Sequence, residues 1–334
     1  MSNAPFFIVG SGRSGSTLLR MILASHSRIA IPPETWFLIP LCEQIPLERP
    51  LDASDVEKAI AIMTGHYRWP DMGVDASAFR REVTSVKEPY LKDVVEIVYR
   101  KHLKEEGKTR WGDKTPGYIK IVPELAKLYP DTRFIHLVRD GRDVAKSFQS
   151  TGWYGPLLHD NTREWTGALA YETRWSRSAL ASKILSVRYE DLIGDSEAIV
   201  RKICAFLGEE FEPQMLSWEG QVSRLVPKRE MSIHSKLGRK PDASDIERWK
   251  REMSPLEIFV AEAFMAPYLE RHGYALKYRG PEWRAAFAIA RLYCLTVLPA
   301  LSFQTRMFHY LRRLLTSQRK ADRAQSAGSQ ANSQ

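Results

Sequence analysis

The stretch Gly10-Ser11-Gly12-Arg13-Ser14-Gly15-Ser16-Thr17 follows the apolar run Phe6-Phe7-Ile8-Val9 and precedes Leu18-Leu19-Arg20-Met21-Ile22-Leu23. An apolar strand, a glycine-rich turn and an amphipathic helix in immediate succession make a loop whose backbone N–H groups converge on one point. The helix N-terminus adds unsatisfied donors and a partial positive charge of roughly +0.5, so an anion sits there readily. The spacing G-x-x-x-x-G-x-T is that of a phosphate-binding loop, with one departure. Ser16 stands where a nucleoside triphosphatase needs the lysine that reaches the β- and γ-phosphates. A loop of this kind holds a phosphate and is poorly built for ATP or GTP.

A second segment has the same design. Thr132 to Val138 reads as a strand, followed at once by Arg139-Asp140-Gly141-Arg142-Asp143 and a helix that runs through Ser147. Arg139 is placed to fork onto a second phosphate. Arg142 and Lys146 read equally as further contacts or as a solvated helix face. The two segments, in this order, resemble the 5′-phosphosulfate loop and the 3′-phosphate motif of sulfotransferases that use 3′-phosphoadenosine 5′-phosphosulfate (PAPS). The branch concerned contains the tyrosylprotein sulfotransferases and bacterial relatives. Pro33-Glu34-Thr35, Gly112-Asp113-Lys114-Thr115-Pro116, Val187 to Leu192 and Ser235 to Trp249 extend the resemblance over residues 5–275.

The resemblance implies an α/β, P-loop-type three-layer fold, a central parallel sheet with helices on both faces. It also implies the roles. Gly12, Arg13, Ser14, Gly15, Ser16 and Thr17 hold the 5′ side of the donor; Arg139, Ser147 and Tyr189 hold the nucleotide and its 3′-phosphate. Ser235, Arg239 and Arg248 close over it. Glu34 becomes the general base that deprotonates the acceptor hydroxyl, although Pro33 stands where relatives often have a second acidic residue. Arg13, Lys114 and Ser235 stabilise the sulfuryl group in flight. Sulfuryl transfer needs positioning and charge stabilisation more than covalent work, and the transferred group carries less charge than a phosphoryl group, so no metal is expected. Read without the resemblance, Lys114 is equally a partner for neighbouring Asp113, and Tyr189 an amphipathic residue at the edge of the core.

Strands are expected near 5–9, 28–31, 109–111, 133–138 and 184–188. Helices are expected at 17–25, 54–65, 92–104, 118–128, 141–150, 163–181, 196–207 and 255–265. Asp195 or Ser196, and Ser254 before Pro255, read as helix caps. Residues 210–245, rich in charge, Pro and Ser, read as a long loop over the site. Three widely spaced cysteines, Cys42, Cys204 and Cys294, suit idle thiols in a reducing compartment.

The formal charge is +9, and residues 281–334 carry eight Lys/Arg against two Asp/Glu, or +6 of it. The body is thus only slightly basic, and nucleic acid is an unlikely partner: no arrayed basic helix is present. Residues 1–281 form the expected sulfotransferase-like domain, 282–316 an apolar and basic helical extension, and 317–334 a disordered tail. The extension is marginal for a membrane span, with Arg291 near its middle. It reads as an element on an anionic membrane surface or as one packed on the domain or a second subunit. An apolar strand beginning at Phe6 leaves no room for a leader. The expectation is a bacterial-type cytoplasmic protein, peripheral at the inner membrane face through 283–316.

The acceptor bears a hydroxyl: a carbohydrate, glycolipid, small molecule or tyrosine. Tyr67, Trp69, Tyr90, Trp153, Tyr154, Trp165 and Trp175 either stack on it or fill the core. Two other functions compete: a P-loop nucleotide kinase or ATPase, and a non-catalytic, membrane-peripheral nucleotide-binding relative.

Overall fold

Phe6, Phe7, Ile8 and Val9 point alternately to the two faces of one strand, and all four are buried. A strand apolar on both faces needs cover on both, the condition of a central strand in a parallel sheet. The computed structural model describes residues 3–151, 157–218, 241–279, 283, 284 and 286–291. Among these, five parallel strands pair in the order β2-β3-β1-β4-β5. They are β1 (Phe6–Gly10), β2 (Ile29–Ala30), β3 (Arg110–Lys114), β4 (Arg133–Val138) and β5 (Ile184–Arg188). The α/β class with helices on both faces is as expected.

The helices are α1 (Ser16–Ala24), α2 (Leu38–Gln44), α3 (Ala53–Thr64), α4 (Ala76–Ser85), α5 (Leu91–Glu106) and α6 (Val122–Leu128). After β4 come α7 (Gly141–Thr151) and α8 (Leu158–Trp175); after β5, α9 (Tyr189–Gly194), α10 (Ser196–Leu207), α11 (Trp249–Glu252) and α12 (Pro255–Arg271). Phe7, Val9 and Phe134 face a core that includes Leu41, Val95, Tyr99 and Leu125. Phe6, Ile8, Ile135 and Leu137 face the other way, onto Leu19 and Ile22 of α1 and Val200 and Ile203 of α10. A third cluster joins α7, α8 and α12 through Phe148, Trp165 and Met265.

This order positions the site. From β1 the chain leaves through α1 to β2 on one side; from β4 it leaves through α7 and α8 to β5 on the other. Adjacent strands whose connections diverge open a crevice at their carboxyl ends, the usual ligand position in open α/β sheets. The Gly10–Thr17 loop and Arg139 flank that crevice.

Several boundaries differ from expectation. The strand expected at 109–111 runs on to Lys114 because Gly112 leaves room for a neighbouring ring: a Cβ there would lie 2.4 Å from Phe6 Cζ. The helix expected at 118–128 is a 3-10 turn, Pro116–Ile121, followed by α6. That expected at 163–181 starts at Leu158 and stops at Trp175. Helices α2 and α4 were not anticipated. Asp195 and Ser254 do cap α10 and α12, accepting from the N–H groups of Ala198 and Glu257.

Within 210–245, Pro213–Leu216 and Ala243–Asp245 are 3-10 turns, and residues 219–240 lie outside the described residues. So do Trp153, Tyr154, Cys294 and everything beyond 291, including most of the expected extension and all of the tail. Phe287 of that extension packs on Ala263 and Phe264 of α12. No helix among the described residues is long and apolar enough to cross a membrane. Trp69, Trp165 and Trp175 are core residues, whereas Tyr67 and Tyr90 are exposed. Cys42 and Cys204 are free thiols.

Arg142 and Lys146 do not form a solvated face. Lys146 Nζ pairs with Glu257 Oε1 at 2.9 Å. Arg142 is fully buried. It forks onto Asp140 (Nε–Oδ1 3.0 Å, Nη2–Oδ2 2.7 Å), reaches Glu262 Oε1 at 2.6 Å and lies 3.7 Å from the Trp249 ring centroid. Glu262 also accepts from the N–H groups of Lys277 (2.8 Å) and Tyr278 (3.0 Å). One guanidinium thus neutralises two buried carboxylates and joins α7 to α12 and, through Glu262, to the backbone at Lys277 and Tyr278. Arg142→Ala would strand both carboxylates and should lower unfolding stability by about 3–5 kcal/mol, as read by urea denaturation. A loss below about 1 kcal/mol would show the network to be dispensable.

Candidate functional site

The loop after β1 turns sharply, and two residues carry the turn. Arg13 takes φ 63° and Gly15 φ 90°. Gly15 is required on a second count: a Cβ there would lie 2.3 Å from the Tyr189 ring, which packs directly over the loop. Ser14 is buried, and its hydroxyl has no hydrogen-bond partner among the described residues. An unpaired buried hydroxyl costs free energy unless something binds it, so this loop has the form of a cradle for an acceptor-rich group such as phosphate.

Cations gather on the same side. Arg13 Nε donates to Ser147 Oγ on α7 at 3.1 Å, so the loop after β1 and the helix after β4 touch directly. Arg139 lies 4.4 Å from the Tyr189 ring centroid; its Nη2 donates to the Asp245 carbonyl at 2.7 Å and reaches Asp143 at 3.3 Å. Arg139 Nε is buried without a partner among the described residues. Burial, then Arg139, then Arg248 push the Arg13 pKa down. An anion beside Arg13 would relieve the repulsion it feels from these two neighbouring guanidinium groups. Arg248 itself is forked onto Glu252 at 2.9 and 3.0 Å, on the rim. The segment that carries it is tied down where the Trp249 N–H donates to Asp143 Oδ1 at 2.7 Å.

Glu34 and Lys114 form an ion pair on the β3 side of this cradle. Lys114 Nζ also donates to Thr17 Oγ1 at 3.3 Å, so a cation absent from the loop itself reaches it from β3. Glu34 Oε2 accepts from Trp36 Nε1 at 2.7 Å and lies 3.6 Å from Arg68 Nη2. Burial would raise the Glu34 pKa, but Lys114, Trp36 and Arg68 outweigh it and hold the carboxyl below its usual range. The segment bearing Glu34 is fixed at its base by buried Arg20 of α1, which donates twice to the Ile31 carbonyl, at 3.1 and 2.9 Å.

The structure therefore brings together Gly12, Arg13, Ser14, Gly15, Ser16, Thr17, Glu34, Lys114, Arg139, Ser147 and Tyr189, with Arg248 at the edge. Ser235 and Arg239 lie outside the described residues. Lys114 pairs with Glu34, not with Asp113. Sequence reasoning gave no role to Arg68, Trp36, Thr35 or Asp143, and considered Asp113 only as a partner for Lys114. Trp36 is two positions from Glu34 in the chain and could have been found; Arg68 is 34 positions away and has no local signature.

Comparison with known proteins bears on the family and the fold. A model described as the sulfotransferase family matches residues 5–213, and the chain belongs to that family. The nodulation protein NoeE of Sinorhizobium fredii is 26% identical over 278 residues, covering 75% of this chain and 61% of that protein. Protein-tyrosine sulfotransferase 1 of Danio rerio is 28% identical over 282 residues, covering 80% of this chain and 71% of the relative. Among solved structures, the sulfotransferase domain from the curacin biosynthetic pathway superimposes with a TM-score of 0.57 at 22% identity, covering 83% of this chain and 99% of that domain. The corresponding domain of the Synechococcus PCC 7002 olefin synthase gives a TM-score of 0.57 at 23% identity. Both likenesses bear on the fold.

Behind Glu34, the fully buried Asp113 carboxyl is pushed up to about 6: burial dominates, and the Glu34 charge adds to it against hydrogen bonds from Tyr99, Thr115 and Thr35. The folded protein then binds this proton more tightly than the unfolded chain, whose group titrates near 3.8. The resulting stabilisation is full below that value and disappears as pH rises through about 6. Asp113→Asn removes the titration. Its stability relative to the parent should therefore rise between pH 4 and pH 7, by up to roughly 3 kcal/mol. Urea denaturation at several pH values measures the difference; a pH-independent difference would be the contrary result.

Proposed function

We propose that this sulfotransferase moves the sulfuryl group of PAPS to an acceptor hydroxyl by in-line displacement. The observation that carries the reading is the pair of cationic loops flanking one crevice, bonded to each other through Arg13 and Ser147, with the Glu34–Lys114 pair beside them. Two phosphate positions suit a 3′,5′-bisphosphorylated nucleotide. The residues fit that group: the Ser14 hydroxyl and Arg139 Nε are buried donors without partners among the described residues, and Arg13 is crowded by like charge.

In this reading Gly12 to Thr17 cradle the 5′-phosphate, and Arg139 and Ser147 bind the 3′-phosphate beside Tyr189. Arg248, with Ser235 and Arg239, closes the nucleotide side. PAPS supplies an activated sulfuryl group whose departure leaves 3′-phosphoadenosine 5′-phosphate. Glu34 accepts the proton of the attacking hydroxyl while Lys114, Arg13 and Ser235 stabilise charge around the transferred group. Lys114 serves two partners in turn. Paired with Glu34 it keeps the carboxylate ionised and weakly basic; drawn toward a sulfonate, it releases Glu34 to become a stronger base. Protein tyrosine, named for the zebrafish relative, is one acceptor class to screen, with carbohydrates, glycolipids and small phenols.

The deciding experiment is a thermal shift with 3′-phosphoadenosine 5′-phosphate in the absence of metal, and separately with Mg²⁺-ATP. At 100 times its dissociation constant a ligand adds about 2.7 kcal/mol to the native state. Stabilisation by the bisphosphate, lost far more in Arg139→Ala than stabilisation by adenosine 5′-phosphate, is expected. Stabilisation by Mg²⁺-ATP alone would overturn the reading in favour of a kinase or ATPase. Glu34→Gln should keep donor affinity and lose transfer by roughly 10²–10⁴-fold, measured as sulfate transferred from labelled PAPS. Undiminished transfer would place the base elsewhere.

A further inference from the structure

Two consecutive residues at the end of β3 grip two consecutive residues of the segment that bears Glu34. Lys114 pairs with Glu34. Asp113 faces the other side of the strand, as alternation requires, and its Oδ2 accepts from Thr35 Oγ1 at 2.8 Å and from Tyr99 Oη at 2.7 Å. Thr35 Oγ1 also touches Tyr118 Oη, which in turn accepts from the Leu38 N–H at 3.2 Å. The Thr35 N–H donates to Thr115 Oγ1 at 3.1 Å. Asp113, Thr35, Thr115, Tyr99 and Tyr118 are all fully buried.

A hydroxyl has one proton to donate. The Leu38 N–H occupies Tyr118 Oη as an acceptor, Tyr118 donates to Thr35, and Thr35 donates to Asp113. The bonds run one way and end on the carboxylate, so every proton in the chain has a single place to go. All of these bonds converge on Asp113 Oδ2, while Oδ1 is buried without a partner among the described residues; a one-way network of this kind restricts the backbone that carries it. Thr35, which hands its proton to the carboxylate, is one residue from Glu34. Trp36, on the other side of Thr35, is held at φ 58° with its ring against Gly117, where a Cβ would lie 2.5 Å from the indole.

We infer that Asp113, acting through the Thr35 hydroxyl, is the positioning residue that holds Glu34 against Lys114. Asp113 is fully buried behind Glu34 and acts on it only through other residues. The inference rests on the sulfotransferase reading for its catalytic meaning, but its geometry can be tested without donor or acceptor.

The test follows the Glu34 carboxyl by ¹³C NMR across a pH titration, with the signal assigned by its disappearance in Glu34→Gln. In the unaltered protein it should titrate below the usual glutamate range, as the Lys114 contact dictates. Thr35→Val deletes the hydroxyl and should move the titration upward by about one unit; Thr35→Ser should restore it. Tyr99→Phe removes a second hydrogen bond to Asp113 and should cost stability without moving Glu34. In turnover with PAPS, Thr35→Val should lower kcat by roughly tenfold, with donor affinity unchanged. An unshifted Glu34 titration in Thr35→Val would overturn the inference, as would an equal shift in Tyr99→Phe. Should Thr35→Val fail to fold, Thr35→Ala deletes the same hydroxyl without setting a methyl against the carboxylate, and an unmoved Glu34 there is equally fatal. Failure of the wild type to bind 3′-phosphoadenosine 5′-phosphate would instead count against the function and leave the titration result standing.

Discussion

The contact between Lys114 and Glu34 sets the conditions for much else around the crevice. Two opposite charges withdrawn from water are tolerated only where their geometry is good and their remaining hydrogen-bonding capacity is met. The surrounding chain meets both demands. Trp36 and Arg68 fill the second Glu34 oxygen, Thr17 takes another bond from Lys114, and Arg20 fixes the backbone three residues upstream. Since β3 lies beside β1, the lysine also serves the loop that β1 feeds, so one side chain links the anion cradle to the acid–base group.

The opposite end of the crevice is organised by repulsion. Arg139 and Arg248 both crowd Arg13, and acidic residues on α7, beside it and on α12 offset the neighbouring cations. Asp143 serves both Arg139 and the Trp249 N–H, while Asp140 and Glu262 absorb the charge of Arg142. Cations aimed at the crevice are thus separated from cations used to hold the fold. Arg139 and Arg142 are three positions apart in one motif and do different work.

That division explains what could be read from the chain and what could not. The five strands and both anion loops were legible because their signals are local: runs of β-branched and aromatic residues, glycines at the turns, a cation straight after a strand. Helix α4 escaped because only Phe79 and Val83 of its ten residues are buried, too few to mark a period. Arg142 suggested a solvated face because charge alone implies water; its burial depends on Glu262, 120 positions later. The Glu34–Lys114 and Thr35–Asp113 contacts span 80 and 78 positions. Resemblance selected Glu34 and Lys114, but nothing local could pair them or single out Thr35.

The Arg142 network also defines how much chain a stable fragment needs. A piece ending at Pro213 would contain all five strands, both anion loops and the Glu34–Lys114 pair. It would still leave Arg142 without Glu262 and without the Trp249 ring, and would bare the faces of α7 and α8 that α12 covers. The minimal folding unit therefore extends at least through Tyr278, whose backbone closes on Glu262. Residues that bind no substrate thus set the boundary for expression, for fusion to other domains and for any transplant of this site.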